Sequence, residues 1–139
     1  MVARWLTNSS AFCVAPGGDF AGNDPQGCWW GLPSIEASDP AFPHGYWRGA
    51  VWGPMAQLTY WSLQHYDHVP AVRTARKGLA KQMAGLMMSQ WDKHRHICEN
   101  YSPDKEAEVD FAEGDCHGTK YYHWGALTGL IGLIEDELF

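Results

Sequence analysis

"VWGPMAQLTYWSLQHY" runs from Val51 to Tyr66, and its reading decides the fold class. Val51, Met55, Leu58 and Trp61 recur at helical spacing and form one apolar stripe. Trp52, Ala56, Tyr60 and Leu63 form a second. Pro54 falls in the first turn, where its missing N–H is harmless. A helix apolar on both sides is expected to be covered on both sides, as an inner helix of a layered all-α fold is.

The neighbouring segments extend this pattern. Pro70 is well placed to open a second helix, running to about Lys93. Val72, Ala75, Leu79, Met83, Leu86 and Met87 make its apolar face. Arg73, Arg76, Lys77 and Lys81 make the opposite one, which reads as the solvated face of an outer helix. A third helix is expected from about Tyr122 to Leu138. Trp124, Leu127, Leu130, Ile131, Leu133 and Ile134 wrap most of its circumference, which predicts burial. Inner, outer, inner is the alternation of an α/α toroid. No segment shows a competing strand pattern. Residues 1–12 read as the tail of a helix, and residues 94–120 as a loop. Residues 13–48 form another long loop, dense in Gly, Pro, Asn and Asp. Trp29, Trp30, Leu32 and Ile35 argue that this loop is ordered, and ordered loops of such length are usually functional.

Composition bounds the function. A chain of 139 residues suits one domain, 1–139, and 45% apolar residues supply a core. The net charge of -6, without a basic run, argues against nucleic acid. No apolar window is long enough to span a membrane, and the start lacks the features of a secretory leader. Nothing fixes the compartment. Eight Trp, six Tyr and five Phe suit either a ring-rich core or sugar binding, because pyranose C–H faces stack on aromatic rings. Cys13, Cys28, Cys98 and Cys116 have no CxxC spacing, and disulfides between them are possible but unforced. Asn8-Ser-Ser and Asn100-Tyr-Ser match the glycosylation triplet, a pattern common by chance.

"GLPSIEASDPAF" (31–42), "GYWRGAVWGPM" (45–55), "ENYSPD" (99–104) and "YHWGALTGLIGL" (122–133) stand in that order. Together they resemble glycoside hydrolase family 63, the family of processing α-glucosidase I. The resemblance covers about Gly31 to Leu133. It implies an (α/α)6 barrel, of which this chain looks like the C-terminal third, and inverting hydrolysis of α-linked glucose. No cofactor or metal is implied. Inversion needs one carboxylate to activate water and one carboxylic acid to protonate the leaving oxygen, about 6.5–9.5 Å apart. Glu99 matches the base. Tyr46 and Trp47 match aromatics that line the sugar site. By the same likeness Arg48 would bind hydroxyls or pair with Glu99, Trp52 would reach the pocket, and Tyr101, His123 and Trp124 would form its opposite wall. Gly45 and Gly49 would let the loop approach the helix closely. The family's acid, an aspartate after Gly-Trp, has no counterpart here, so the isolated chain is expected to be inactive. The expected partners are an α-glucoside or oligosaccharide, and the rest of the barrel or a second copy.

Two other readings stay open. A remnant could bind glycans or self-associate without turnover. His94, His96, Cys98, Cys116 and His117 could instead supply four ligands to a tetrahedral zinc that clips the 94–120 loop.

Overall fold

The structure, a computed structural model, describes residues 2–14, 31–42, 46–102 and 116–136. Its fold is all-α. A five-residue π-helical turn, Val2–Leu6, precedes α1 (Gly53–Gln64), α2 (Pro70–His94) and α3 (His123–Glu135). The expected helical tail at residues 1–12 is thus one short turn followed by bends. Two antiparallel strands of two residues each, β1 (Asn100–Tyr101) and β2 (Cys116–His117), complete the described elements.

Each helix packs on the other two. Leu79, Met83 and Leu86 of α2 meet Ala56, Tyr60 and Leu63 of α1 and Ile131 of α3 in one core. Burial of each large apolar side chain there is worth roughly 1.5–3 kcal/mol. Glycines set the spacing of α3. A methyl group at Gly125 would overlap the Cys98 carbonyl, and one at Gly129 would meet Met87 Sδ at 2.6 Å. One at Gly132 would meet Ala84 Cβ at 2.7 Å. Rising residue numbers on α3 thus meet falling numbers on α2, so the two are antiparallel. Gly53 of α1 lies against the Trp124 carbonyl, and Tyr60 reaches Glu135, so α1 and α3 run side by side in the same direction. Two parallel helices joined through an antiparallel one are packed as part of an α/α toroid.

Two burial expectations need correction. On α1 the stripe of Trp52, Ala56, Tyr60 and Leu63 is buried, but Met55, Leu58 and Trp61 are 41%, 56% and 48% exposed. That side is only partly covered, by the Val2–Leu6 turn. It borders an apolar hollow of about 840 Å³ against Val2, Trp5, Leu6 and Phe12. On α3 only Gly125, Thr128, Gly129 and Ile131 are buried, and Leu133 is exposed. The basic face of α2 is not simply solvated either. Arg76 pairs with Glu135 at 2.6 Å and with Asp67 at 3.2 Å, and Arg73 pairs with Asp67 at 3.2 Å. No helix among the described residues is long and apolar enough to cross a membrane.

Candidate functional site

The segments before α1, after α2 and before α3 meet at one end of the helix trio. Val51 is the hub. Its N–H donates to the Tyr101 carbonyl at 2.8 Å, and the Tyr101 N–H donates back at 3.0 Å. On its other side Val51 bridges Pro33. Ser34 N–H donates to the Ala50 carbonyl, and Gly49 N–H donates to Ser34 Oγ, both at 3.0 Å. A side chain at Gly49 would crowd the Phe42 carbonyl, and its φ of +128° suits only glycine, so the close approach expected there is present. Gly45 lies outside the described residues.

An aromatic cluster covers this junction. Trp47 stacks flat on Trp52, with ring centroids 3.8 Å apart and planes 5° from parallel. Tyr46 meets Trp52 edge-on at 5.0 Å, and Trp124 meets it at 6.3 Å. His123 stacks on Tyr122 at 5.2 Å, and Tyr122 meets Trp124 edge-on at 5.3 Å. Trp52 is fully buried, and its Nε1–H donates to the Tyr46 carbonyl at 3.1 Å. Tyr46 and Trp47 stay 51% and 41% exposed. The outcome is an open platform of rings backed by a buried one. Such a surface can stack a sugar ring while edge-to-face contacts hold the aromatics in place.

Glu99 lies one residue before β1 and is half-buried. Its Oε2 accepts the Thr119 backbone N–H at 3.0 Å. Arg48 is exposed and makes no ion pair with Glu99 among the described residues. Tyr101 is fully buried, and its hydroxyl donates to the Gly125 carbonyl at 3.2 Å. Burial pushes the Tyr101 phenol above its ordinary range. Tyr101 therefore braces the junction from inside the core. Asn100 is also fully buried, so its glycosylation triplet is closed in the folded chain.

Of the residues singled out in the sequence, the structure gathers Tyr46, Trp47, Trp52, His123 and Trp124 into the ring cluster. It holds Glu99 beside Gly118–Thr119. Tyr122, which opens the fourth motif, was not singled out as a pocket residue, and neither were Gly118 and Thr119. Tyr122 adjoins the His-Trp pair and was findable as a third ring. Gly118 and Thr119 carry no local signal, because their link to Glu99 crosses a loop.

The zinc reading loses one of its five candidate ligands. Cys98 is disulfide-bonded, so its thiolate is not free for a metal. Cys13 is disulfide-bonded too. No group of three or more His, Cys, Asp or Glu among the described residues could hold a metal ion.

Residues 21–125 match the family model of the mannosylglycerate hydrolase MGH1-like glycoside hydrolase domain. No curated protein matches the chain. The chain belongs to that glycoside hydrolase family, which is related to family 63.

Proposed function

We propose that this member of the mannosylglycerate hydrolase MGH1-like glycoside hydrolase family carries the base-bearing side of an inverting α-glycosidase active site, with Glu99 as the general base. One observation carries the reading. Motifs far apart in the chain converge where α1 and α3 begin, and they bring an exposed aromatic platform to the segment that bears a half-buried carboxylate. A stacked sugar and a carboxylate are the two things this chemistry requires on one side of the scissile bond.

In the reaction a water oxygen bonds to the anomeric carbon as one of its protons passes to Glu99. The glycosidic C–O bond breaks, and the leaving oxygen takes a proton from a carboxylic acid on the opposite face. No Gly-Trp-Asp stands in this sequence, and the reading assigns that acid to another segment of the catalytic unit. The partly covered side of α1, with Met55, Leu58 and Trp61 exposed, supports a companion surface there. An α-glucoside or oligosaccharide is the substrate the motifs favour, and the family's name makes mannosylglycerate the first competitor to try.

The test is hydrolysis by the assembled catalytic unit, followed by proton NMR of the first-formed sugar. Release of the β anomer from an α-glycoside is expected. Release of the α anomer, or no hydrolysis of any α-glycoside, overturns the reading. The 139 residues alone are expected to bind oligosaccharide without turning it over, by calorimetric titration and a reducing-sugar assay.

A further inference from the structure

Among the described residues, the Glu99 carboxyl group is held by a segment outside the four resembling motifs. That segment is the turn at Gly118 and Thr119. Gly118 has φ +79°, a left-handed conformation that side chains rarely adopt. A Cβ built on it would overlap Glu99 Oε2 and would stand 2.7 Å from Glu99 Cβ and 2.8 Å from its Cδ. The carboxyl group thus lies directly on the glycine backbone. The next residue supplies the contact, since the Thr119 N–H donates to Oε2 at 3.0 Å. Among the described residues no hydrogen bond reaches Oε1.

These are two separate constraints on one carboxylate, a bond to a single oxygen and a bare backbone that admits the group. The turn is itself anchored on the site's scaffold. Asn100 pairs with His117 and Tyr101 with Cys116 across the β1–β2 ladder, so Glu99 and Gly118 flank the same two-residue ladder. The Tyr121 N–H donates to the Ile97 carbonyl at 2.8 Å on the far side of the turn. Segment 97–101 and segment 116–121 are therefore stitched on both sides of Glu99.

We propose that Gly118 and Thr119 form the positioning element of Glu99, holding Oε2 so that Oε1 is the oxygen that takes the proton from the attacking water. This deepens the reading of Glu99 as the base and rests on it. A base acts only when its lone pair points at the proton, and a misplacement of about 1 Å can lower a rate by roughly a hundredfold. Gly118 and Thr119 act through Glu99 and need not touch substrate.

The test has a kinetic arm and a structural arm. In the catalytic unit, Gly118→Ala is expected to lower kcat by about ten- to a hundredfold with KM within about twofold. Gly118→Asn tolerates the left-handed backbone but still carries a Cβ. It is expected to fall as far as Gly118→Ala, because the clash is with the carboxylate. Recovery of activity in Gly118→Asn would make backbone strain the cause and overturn the proposal. In a Glu99→Gln background, Gly118→Ala is expected to add little further loss, and full additivity would also overturn it. For the structural arm, amide hydrogen exchange at Thr119 is expected to quicken in Glu99→Ala. Unchanged exchange would remove the contact whatever the kinetics. If Glu99→Gln itself leaves kcat untouched, the reading of the base fails first, and the Thr119 exchange still decides the contact.

Discussion

The two ends of the helix trio are built on opposite principles. At the end where α1 and α3 begin, exposed rings and a half-buried carboxylate rest on a short ladder centred on Val51. At the end where α1 and α3 finish, Tyr60, Arg76 and Glu135 close into a polar clamp. The Tyr60 hydroxyl donates to Glu135 Oε2 at 2.8 Å, Arg76 pairs with the same carboxylate, and the guanidinium lies 5.7 Å from the Tyr60 ring centroid. Each helix supplies one member of the clamp. It is mostly buried, and its cation and carboxylate are paired with each other, although Arg76 Nε is left without a hydrogen-bond partner among the described residues. The other end leaves its aromatic surface uncovered, which is what binding needs. A 12-residue helix spans roughly 18 Å, so the two ends can be perturbed independently.

The largest separation should come from substitutions that load one end alone. Arg76→Met leaves the Glu135 carboxylate buried without its cation, and is expected to lower stability by about 3 kcal/mol. Denaturant titration reads that loss, and glycan affinity of the folded fraction should be unchanged. A parallel loss of affinity would break the comparison, because the clamp would then be setting the platform. Gly125→Ala loads the platform end, where α3 begins, since its methyl group would meet the Cys98 carbonyl beside Glu99. It is expected to lower stability by about 2–3 kcal/mol and to lower glycan affinity as well. Loss of stability alone would show that the platform tolerates a shift of α3.

Trp47→Ala sharpens the other side. Its ring is exposed and caps a buried one, so removal should weaken oligosaccharide binding by about tenfold, or ~1.4 kcal/mol. Titration calorimetry measures this, and the melting temperature should move little. A variant that melts early but binds normally would make Trp47 a packing residue.

The smallest effect is a pH dependence confined to the clamp. Burial first, then the hydrogen bond to Glu135, pushes the Tyr60 phenol from its ordinary 10.0 up to about 12. The unfolded chain loses that proton near pH 10 and the folded chain keeps it to about 12. The stability it contributes is therefore fully present below pH 10 and is lost as pH rises toward 12. Tyr60→Phe should flatten part of this alkaline decline, followed by denaturant midpoints at pH 9 to 11.

The same contrast explains what was legible in the sequence. Helical periodicity located α1, α2 and α3, because each carries an apolar stripe of its own. Both stripes of α1 were visible, but a stripe records only what a face would bury. The coverage of Ala56, Tyr60 and Leu63, and the exposure of Met55, Leu58 and Trp61, depend on which neighbours are present. The clamp was invisible for another reason. Arg76 looked like one of four basic residues on a wet face, and its partners, Asp67 and Glu135, lie before α2 and at the end of α3. Most of the ring cluster was legible because the motifs name Tyr46, Trp47, Trp52, His123 and Trp124. Of the two roles expected of Arg48, the pairing with Glu99 is not made among the described residues, and a backbone N–H from Thr119 meets Glu99 instead. Side chains advertise charge in a sequence, whereas backbone donors do not.

The most direct test of the whole account is Glu99→Gln in the assembled catalytic unit, with turnover and glycan affinity measured on the same preparation. The amide keeps the shape of the carboxyl group and can still accept the Thr119 N–H, but it cannot take a proton from water. The account predicts that kcat falls by roughly two to four orders of magnitude while affinity and melting temperature stay unchanged. Full activity in Glu99→Gln, with the loss appearing instead in Glu106→Gln, Glu108→Gln or Glu113→Gln, would contradict it.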